Sequence, residues 1–296
     1  MVPRKFEYIA PTSVGEATAF LRVHGSDAKV LAGGMSLIPV MKLRLASPAY
    51  IVDINRIPGM DYIRRSDDGG GIAIGSLTRH HDIETSKLIR EHARALSECA
   101  AGIGDPQIRN MGTLGGSLAH CDPSGDCGSA VLALRGSVVV RGPTRGRTVA
   151  IDDFLVDTFT SALEPDELLT EITIPIRPGM RTGSSYVKLE RKTGDFATVA
   201  VGAAVGLDES GVCDYAGIGL TAVGSKNLRA VKAEEALLGK TLTPSVIEEA
   251  AQAASEDAHP TADPLRGSAD YKREMTKVYT RRGLQLAVSR AEGGAR

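Results

Sequence analysis

The sequence predicts an α+β chain built in separate blocks, and three observations carry that reading. The last third runs through strand patterns first and helix patterns afterwards, which is the order of a sheet with its helices gathered apart rather than of a doubly wound parallel sheet. Neither of the two glycine-rich turns fits G-x-G-x-x-G or G-x-x-x-x-G-K-[ST], so the fingerprints of the doubly wound and P-loop nucleotide folds are missing. The chain has 296 residues, 42% of them hydrophobic, which suffices for two or three small domains around real cores.

The elements follow in order. Ser13-Val14-Gly15-Glu16 is a capping box that opens a helix reaching about His24, with Gly25 as its stop. Lys29–Ala32 reads as a strand broken by Gly33-Gly34. Ser36 can cap a helix over Leu37–Leu45, where Pro39 falls in the first turn and breaks no bond. Tyr50–Ile54 is a strand. In the second block Gly71–Gly75 is a strand, followed by helices over His80–Arg90 and Glu91–Ala101 and then a polar, glycine-rich stretch from Gly102 to Gly125. Asp122-Pro123 reads as a cap with proline at the first helical position, starting a helix to about Leu134. Strands are expected at Ser137–Arg141, Arg147–Ile151 and Glu171–Ile176. The third block has strands at Ser185–Glu190, Thr198–Leu207 and Ala216–Val223, then helices near Asn227–Leu238, Pro244–Ala258 and Ser268–Ala287.

Charge and composition remove several functions. A formal net charge of −1 offers no electrostatic footprint for nucleic acid or an acidic membrane. No run of 18 apolar residues could span a bilayer, and MVPRKFEYIAPTS lacks the apolar stretch of a signal peptide, so the cytoplasm is the expected location. Cys99, Cys121, Cys127 and Cys213 form neither a disulfide framework nor a C-x₄-C-x₂-C iron–sulfur pattern, and read as buried thiols. The histidines make no H-x-x-x-H pair, and His120 is expected to make a structural hydrogen bond. No metal set, nucleophile elbow or other catalytic cluster is present.

What remains is glycine. Ala32-Gly33-Gly34-Met35-Ser36 stands directly between a strand and a helix. Gly112-Thr113-Leu114-Gly115-Gly116-Ser117 follows Gln107-Ile108-Arg109-Asn110. Without a Cβ the backbone can come within hydrogen-bond range of a bulky anion, and a helix start adds unpaired N–H groups and partial positive charge. Ser36, Thr113 and Ser117 add hydroxyls. By residue chemistry the chain is a possible nucleotide binder and no more.

The longer strings are more specific. LAGGMSLIPVMKLRLASP (Leu31–Pro48) followed by IVDI resembles the first flavin loop of the medium, FAD-binding subunits of the xanthine dehydrogenase and carbon monoxide dehydrogenase family of molybdenum hydroxylases. GDPQIRNMGTLGGSLAHCDPSGD (Gly104–Asp126) resembles their second flavin loop. EITIP (Glu171–Pro175) and YVKLERKTGDFA (Tyr186–Ala197) match a third region in the same order. The resemblance implies an FAD-binding fold of the vanillyl-alcohol-oxidase-like type, with two α+β subdomains at 1–57 and 58–177 and a C-terminal domain of a small sheet and helices at 178–296. It implies that Leu31, Ala32, Gly33, Gly34, Met35, Ser36 and Leu37, with Gly112, Thr113, Leu114, Gly115, Gly116 and Ser117, wrap the pyrophosphate of FAD by backbone N–H donation. It places Asp126 at the cofactor, and Leu169 and Lys188 near the isoalloxazine end. Phe196 departs from the tyrosine often found in the GDYA-like motif, keeping the aromatic face without the hydroxyl.

The resemblance further implies an electron-transfer subunit. Electrons would come from two [2Fe–2S] clusters in a small partner, ultimately from a molybdopterin cofactor in a large one, and pass to an external acceptor; a dimer of heterotrimers is the expected assembly. Two other readings stand beside it: a free-standing FAD-dependent oxidase or dehydrogenase of the same fold, and a non-catalytic nucleotide-binding module. The absence of Trp and the 4% aromatic content weigh against a substrate pocket of the first kind.

Overall fold

A computed structural model describes residues 2–294. The first block is a parallel unit: β1 (Glu7–Ile9), α1 (Val14–His24), β2 (Ala28–Leu31), α2 (Leu37–Lys42) and β3 (Tyr50–Asp53), with strand order β1-β3-β2. The Ser13 hydroxyl accepts the Glu16 N–H at 3.1 Å, and the Glu16 carboxylate returns to the Thr12 N–H at 2.8 Å, one residue before the expected partner. Ala17 and Leu21 on α1 pack with Ala28 and Val52 of the sheet.

The second block begins with β4 (Ile63–Arg65) and β5 (Gly71–Gly75). It continues through α3 (His80–Thr85), α4 (Lys87–His92), α5 (Arg94–Ala101), α6 (Pro106–Met111), α7 (Leu114–His120) and α8 (Asp126–Ala133). It closes with β6 (Ser137–Arg141), β7 (Gly146–Ala150), α9 (Ile151–Phe154), the short pair β8 (Leu155–Asp157) and β9 (Thr160–Ser161), and β10 (Leu168–Pro175). Its antiparallel sheet has the order β4-β5-β10-β6-β7.

Three expectations are corrected here. The helix expected over His80–Arg90 is two, because Ser86 is extended (φ −61°, ψ 123°) and caps the second through the Ile89 N–H. The polar stretch after Gly102 contains two helices, α6 and α7, each with a side-chain cap, Asp105 on the Ile108 N–H and Thr113 on the Gly116 N–H. Asp122 caps no helix: its carboxylate takes the Ser124 N–H in a tight turn, and α8 starts only at Asp126.

The third block is β11 (Arg181–Leu189), β12 (Val199–Leu207), β13 (Cys213–Thr221), β14 (Leu228–Arg229), α10 (Val231–Leu237), α11 (Pro244–Asp257) and α12 (Ala269–Ala291). The sheet is antiparallel in the order β11-β12-β13-β14. The helix expected from Asn227 starts at Val231, since Leu228–Arg229 pair with β13 instead. Strand β12 is buried along its whole length, and its alternating residues explain how. Val199, Val201, Ala203 and Val205 face the core shared with α10–α12, whereas Ala200 and Ala204 face the core of the second block. Helix α8 belongs in sequence to the second block and covers this sheet, its backbone seated against Gly219. The edge of β11 is closed by α5 and α12: Glu98 accepts the Tyr186 N–H at 3.0 Å and Arg290 donates to the Ser184 carbonyl at 2.6 Å. All four cysteines are buried and free. Among the described residues no helix is long and apolar enough to cross a membrane.

Candidate functional site

The two glycine turns, eighty residues apart in sequence, touch. A Cβ on Gly33 would overlap the Met111 carbonyl oxygen and lie 2.7 Å from Gly112 Cα, so only glycine permits this approach. Gly34 has φ +75°, the left-handed region, which turns the chain out of β2 and into α2.

Their backbones are engaged very differently. From Gly33 to Leu37 no N–H reaches a protein acceptor among the described residues; the first backbone bond is Ile38 N–H to Gly34 O at 3.0 Å. In the second turn Gly112 donates to Ile108 O, Leu114 to Thr78 O, Gly115 to Ser76 O, Gly116 to Thr113 Oγ1 and Ser117 to Thr113 O, which leaves only Thr113 with a free N–H. Five consecutive open donors on a turn that begins with two glycines can cradle an anion with several oxygens. Met35 and Ser36 are exposed and Leu31, Ala32 and Leu37 half-buried; Leu114 is instead wholly in the core of the second block.

The remaining residues named from sequence lie in two places. Leu169 is on β10 at a bulge opposite β6, 6% exposed, and packs in the core of the second block. Asp126, at the first position of α8, and Lys188, on β11, form a buried ion pair, Nζ to Oδ2 at 2.8 Å. Asp126 Oδ1 accepts the Tyr186 hydroxyl at 2.7 Å, and Lys188 also donates to the Gly102 carbonyl at 3.1 Å. Burial pushes the Asp126 carboxyl up to about 6, against the Lys188 ammonium and the Tyr186 hydroxyl, which pull it down. The Lys188 ammonium sits above its ordinary range: burial opposes that rise, and the neighbouring Asp126 and Glu190 carboxylates outweigh it. Phe196 is half exposed, following a turn whose Gly194 packs on Gly104. Its neighbour Asp195 is gripped by Arg191 and Arg266. His120 makes no side-chain hydrogen bond among the described residues and instead packs its ring 5.0 Å from Phe159, a correction to its expected role. Among the described residues no group of three or more His, Cys, Asp or Glu could hold a metal ion.

Residues 4–177 match the family described as the FAD binding domain in molybdopterin dehydrogenase. This chain is a member of that family. Residues 184–287 match the CO dehydrogenase flavoprotein C-terminal domain, so the two models together cover nearly all of the chain. It is 43% identical to the carbon monoxide dehydrogenase medium chain of Hydrogenophaga pseudoflava over 98% of this chain and 99% of that one. It is 39% identical to the 6-hydroxypseudooxynicotine dehydrogenase complex subunit alpha of Paenarthrobacter nicotinovorans, over 98% and 97%. The carbon monoxide dehydrogenase structure from Hydrogenophaga pseudoflava superimposes with a TM-score of 0.93 at 44% identity, covering 98% of this chain and 99% of its counterpart. The α+β FAD-binding fold follows, and with it the oxidoreductase class: this is an FAD-binding medium subunit of the molybdenum hydroxylases.

Some of this medium subunit's site escaped the sequence reading. Asn55 and Arg79 link the two turns, and Tyr186 and Gly102 complete the surroundings of the buried ion pair. Asn55, Arg79 and Tyr186 stand in neither glycine turn, and Gly102 lies ten residues before the second. Asn55 and Arg79 look like ordinary surface residues until the fold brings positions 32, 55, 79 and 111 together.

Proposed function

We propose that the chain is the electron-transfer subunit of a molybdenum hydroxylase complex and holds FAD across the junction of its two glycine turns. It receives electrons from the [2Fe–2S] clusters of a small subunit, themselves reduced from the molybdopterin cofactor of a large subunit. It delivers them to an external acceptor, and the complex is a dimer of heterotrimers. The observation that carries the FAD site is the row of N–H groups from Gly33 to Leu37 without a protein acceptor among the described residues, beginning at Gly33, where a Cβ would collide with the Met111 backbone. The kinship over 98% of this chain to a carbon monoxide dehydrogenase medium chain and to a dehydrogenase complex subunit alpha supports the subunit role.

When bound, FAD supplies the redox chemistry; the residues supply binding, orientation and electrostatic tuning. The N–H groups of Gly33, Gly34, Met35, Ser36 and Leu37 bind pyrophosphate oxygens, with the Ser36 hydroxyl and the Thr113 N–H beside them. Leu31, Ala32, Gly112, Leu114, Gly115, Gly116 and Ser117 shape the walls and fix the backbones. Lys188 presents positive charge toward the isoalloxazine end, Asp126 holds it there, and Leu169 bounds the apolar side. The proposed domain limits are 1–57, 58–177 and 178–296; the separate sheets support them, since no strand pairing joins one sheet to another among the described residues. Four unpaired, buried thiols suit a reducing compartment, and the cytoplasm is the proposed location.

The absorbance spectrum of the purified chain tests the reading, with the released cofactor identified by chromatography. Near-equimolar FAD without iron–sulfur absorbance, or uptake of added FAD to that level, is expected. A colourless chain that takes up no FAD, alone or with its partners, would overturn it.

A further inference from the structure

Outside the glycine turns, one polar chain ties them together. Asn55 lies in the turn after β3, in the first block; Arg79 precedes α3, in the second. Asn55 Nδ2 donates to the Ala32 carbonyl at 2.8 Å and to Asp53 Oδ1 at 2.7 Å, and Asp53 Oδ2 accepts the Tyr8 hydroxyl at 2.6 Å. Arg79 Nη2 donates to Asn55 Oδ1 at 2.8 Å, and Nη1 donates to the Met111 carbonyl at 2.6 Å. Thus one arginine–asparagine pair holds a carbonyl from each turn, at the point where Gly33 and Met111 meet.

Two physical consequences follow. A trans peptide points its C=O and N–H in opposite directions, so fixing Ala32 O on Asn55 aims the Gly33 N–H to the other side. A carbonyl oxygen facing a pyrophosphate would repel it; the Ala32 and Met111 oxygens are instead engaged by donors. Arg79 also forms no ion pair among the described residues, and both of its acceptors are neutral, so its charge stays uncompensated beside both turns.

We infer that Arg79 and Asn55 are positioning residues for the pyrophosphate: together they lock the two turns in the donor-outward geometry, and Arg79 adds the positive charge. This inference rests on the FAD reading. Asn55→Asp keeps a partner for Arg79 but cannot donate to Ala32 O. Arg79→Gln removes the charge, and Arg79→Lys keeps it with one bond fewer. Tyr8→Phe, at the far end of the chain of bonds, serves as the control.

The test is titration of FAD into the full-length, FAD-free protein at several salt concentrations, beside the melting temperature of each FAD-free variant. The expected result is a Kd raised about tenfold or more in Asn55→Asp and Arg79→Gln, the loss of one well-placed charged contact being worth about a factor of ten. The salt dependence should be shallower in Arg79→Gln. Arg79→Lys should recover part of the affinity, and FAD-free melting should match the wild type. Unchanged Kd values in the variants, with the wild type binding FAD, would overturn the inference and leave the FAD reading intact. Losses that merely track lowered melting, and appear equally in Tyr8→Phe, would reduce the pair to a structural tether and overturn it as well. A wild type that takes up no FAD would sink the FAD reading first.

Discussion

The first and second glycine turns look alike as strings, each with paired glycines and a hydroxyl, yet their backbones are used in opposite ways. Among the described residues the N–H groups from Gly33 to Leu37 have no protein acceptor, and from Gly112 to Ser117 all but that of Thr113 are committed within the protein. The glycines of the first turn let it approach Met111 while presenting donors outward. Those of the second let its backbone settle against Ser76 and His80, where a Cβ on Gly115 would lie 2.5 Å from Ser76 Cβ and one on Gly112 2.8 Å from His80 Cδ2. The first turn is a donor row and the second the wall that holds it in shape. Glycine content alone does not separate these roles; the destination of each N–H does.

The largest effect expected from this contrast is at Gly33. Gly33→Ala forces a methyl group against the Met111 carbonyl and pushes the turns apart. FAD affinity should fall by about 100-fold, the upper end of what overpacking costs. The helices and sheets are untouched, so FAD-free melting should drop by only a few degrees. Fluorescence titration with FAD and a thermal melt of the same sample measure both. Near-normal binding would mean that the turns need not touch and would remove the basis of the comparison.

Much of the fold was legible because it is written in local chemistry. The Ser13 cap, the glycine break after β2 and the strand patterns of the third block all depend on neighbours in sequence. Two of the errors share one cause: a tertiary partner overrode the local signal. Pro123 after Asp122 promised a helix start, but Asn227 reaches across to the Pro123 and Gly125 carbonyls and the segment stays a turn. Leu228–Arg229 carry a helical pattern yet serve as an edge strand on β13. At the candidate site, the long strings singled out the glycines and Lys188, whereas they passed over Asn55 and Arg79, since a polar pair joining the first block to the second leaves no periodicity. The strings also treated all thirteen turn residues as equivalent, and only the hydrogen-bond partners divide them.

A second expected effect concerns the ground behind the second turn. The Asp126 carboxyl, raised from 3.8 to about 6 chiefly by burial, binds its proton more tightly in the folded chain than in the unfolded one. Its contribution to stability is therefore complete below about pH 4 and is lost as pH rises through 6, by up to ~3 kcal/mol for two units. Asp126→Asn removes this titration and leaves Lys188 bonded to Gly102. Subtracting the two urea-unfolding free energies at pH 4.5, 5.5 and 6.5 should show wild type losing ground to the variant with rising pH. A difference independent of pH would mean that Lys188 and Tyr186 keep Asp126 ionised throughout, making the ion pair a fixed strut.

The smallest expected effect separates the turns most cleanly. Thr113 caps α7 through its hydroxyl oxygen, which takes the Gly116 N–H at 3.1 Å, while its own N–H is the one open donor of the second turn. Thr113→Ala deletes the cap and leaves that N–H in place, so it should cost about 1 kcal/mol of stability. FAD affinity should change less than about threefold, because the donor row belongs to the other turn. Thr113→Ser, which keeps the oxygen, should restore the stability. If Thr113→Ala instead melted like wild type and lost FAD tenfold, its hydroxyl would be donating to the cofactor. The second turn would then be a binding turn like the first, and the division between row and wall would fail.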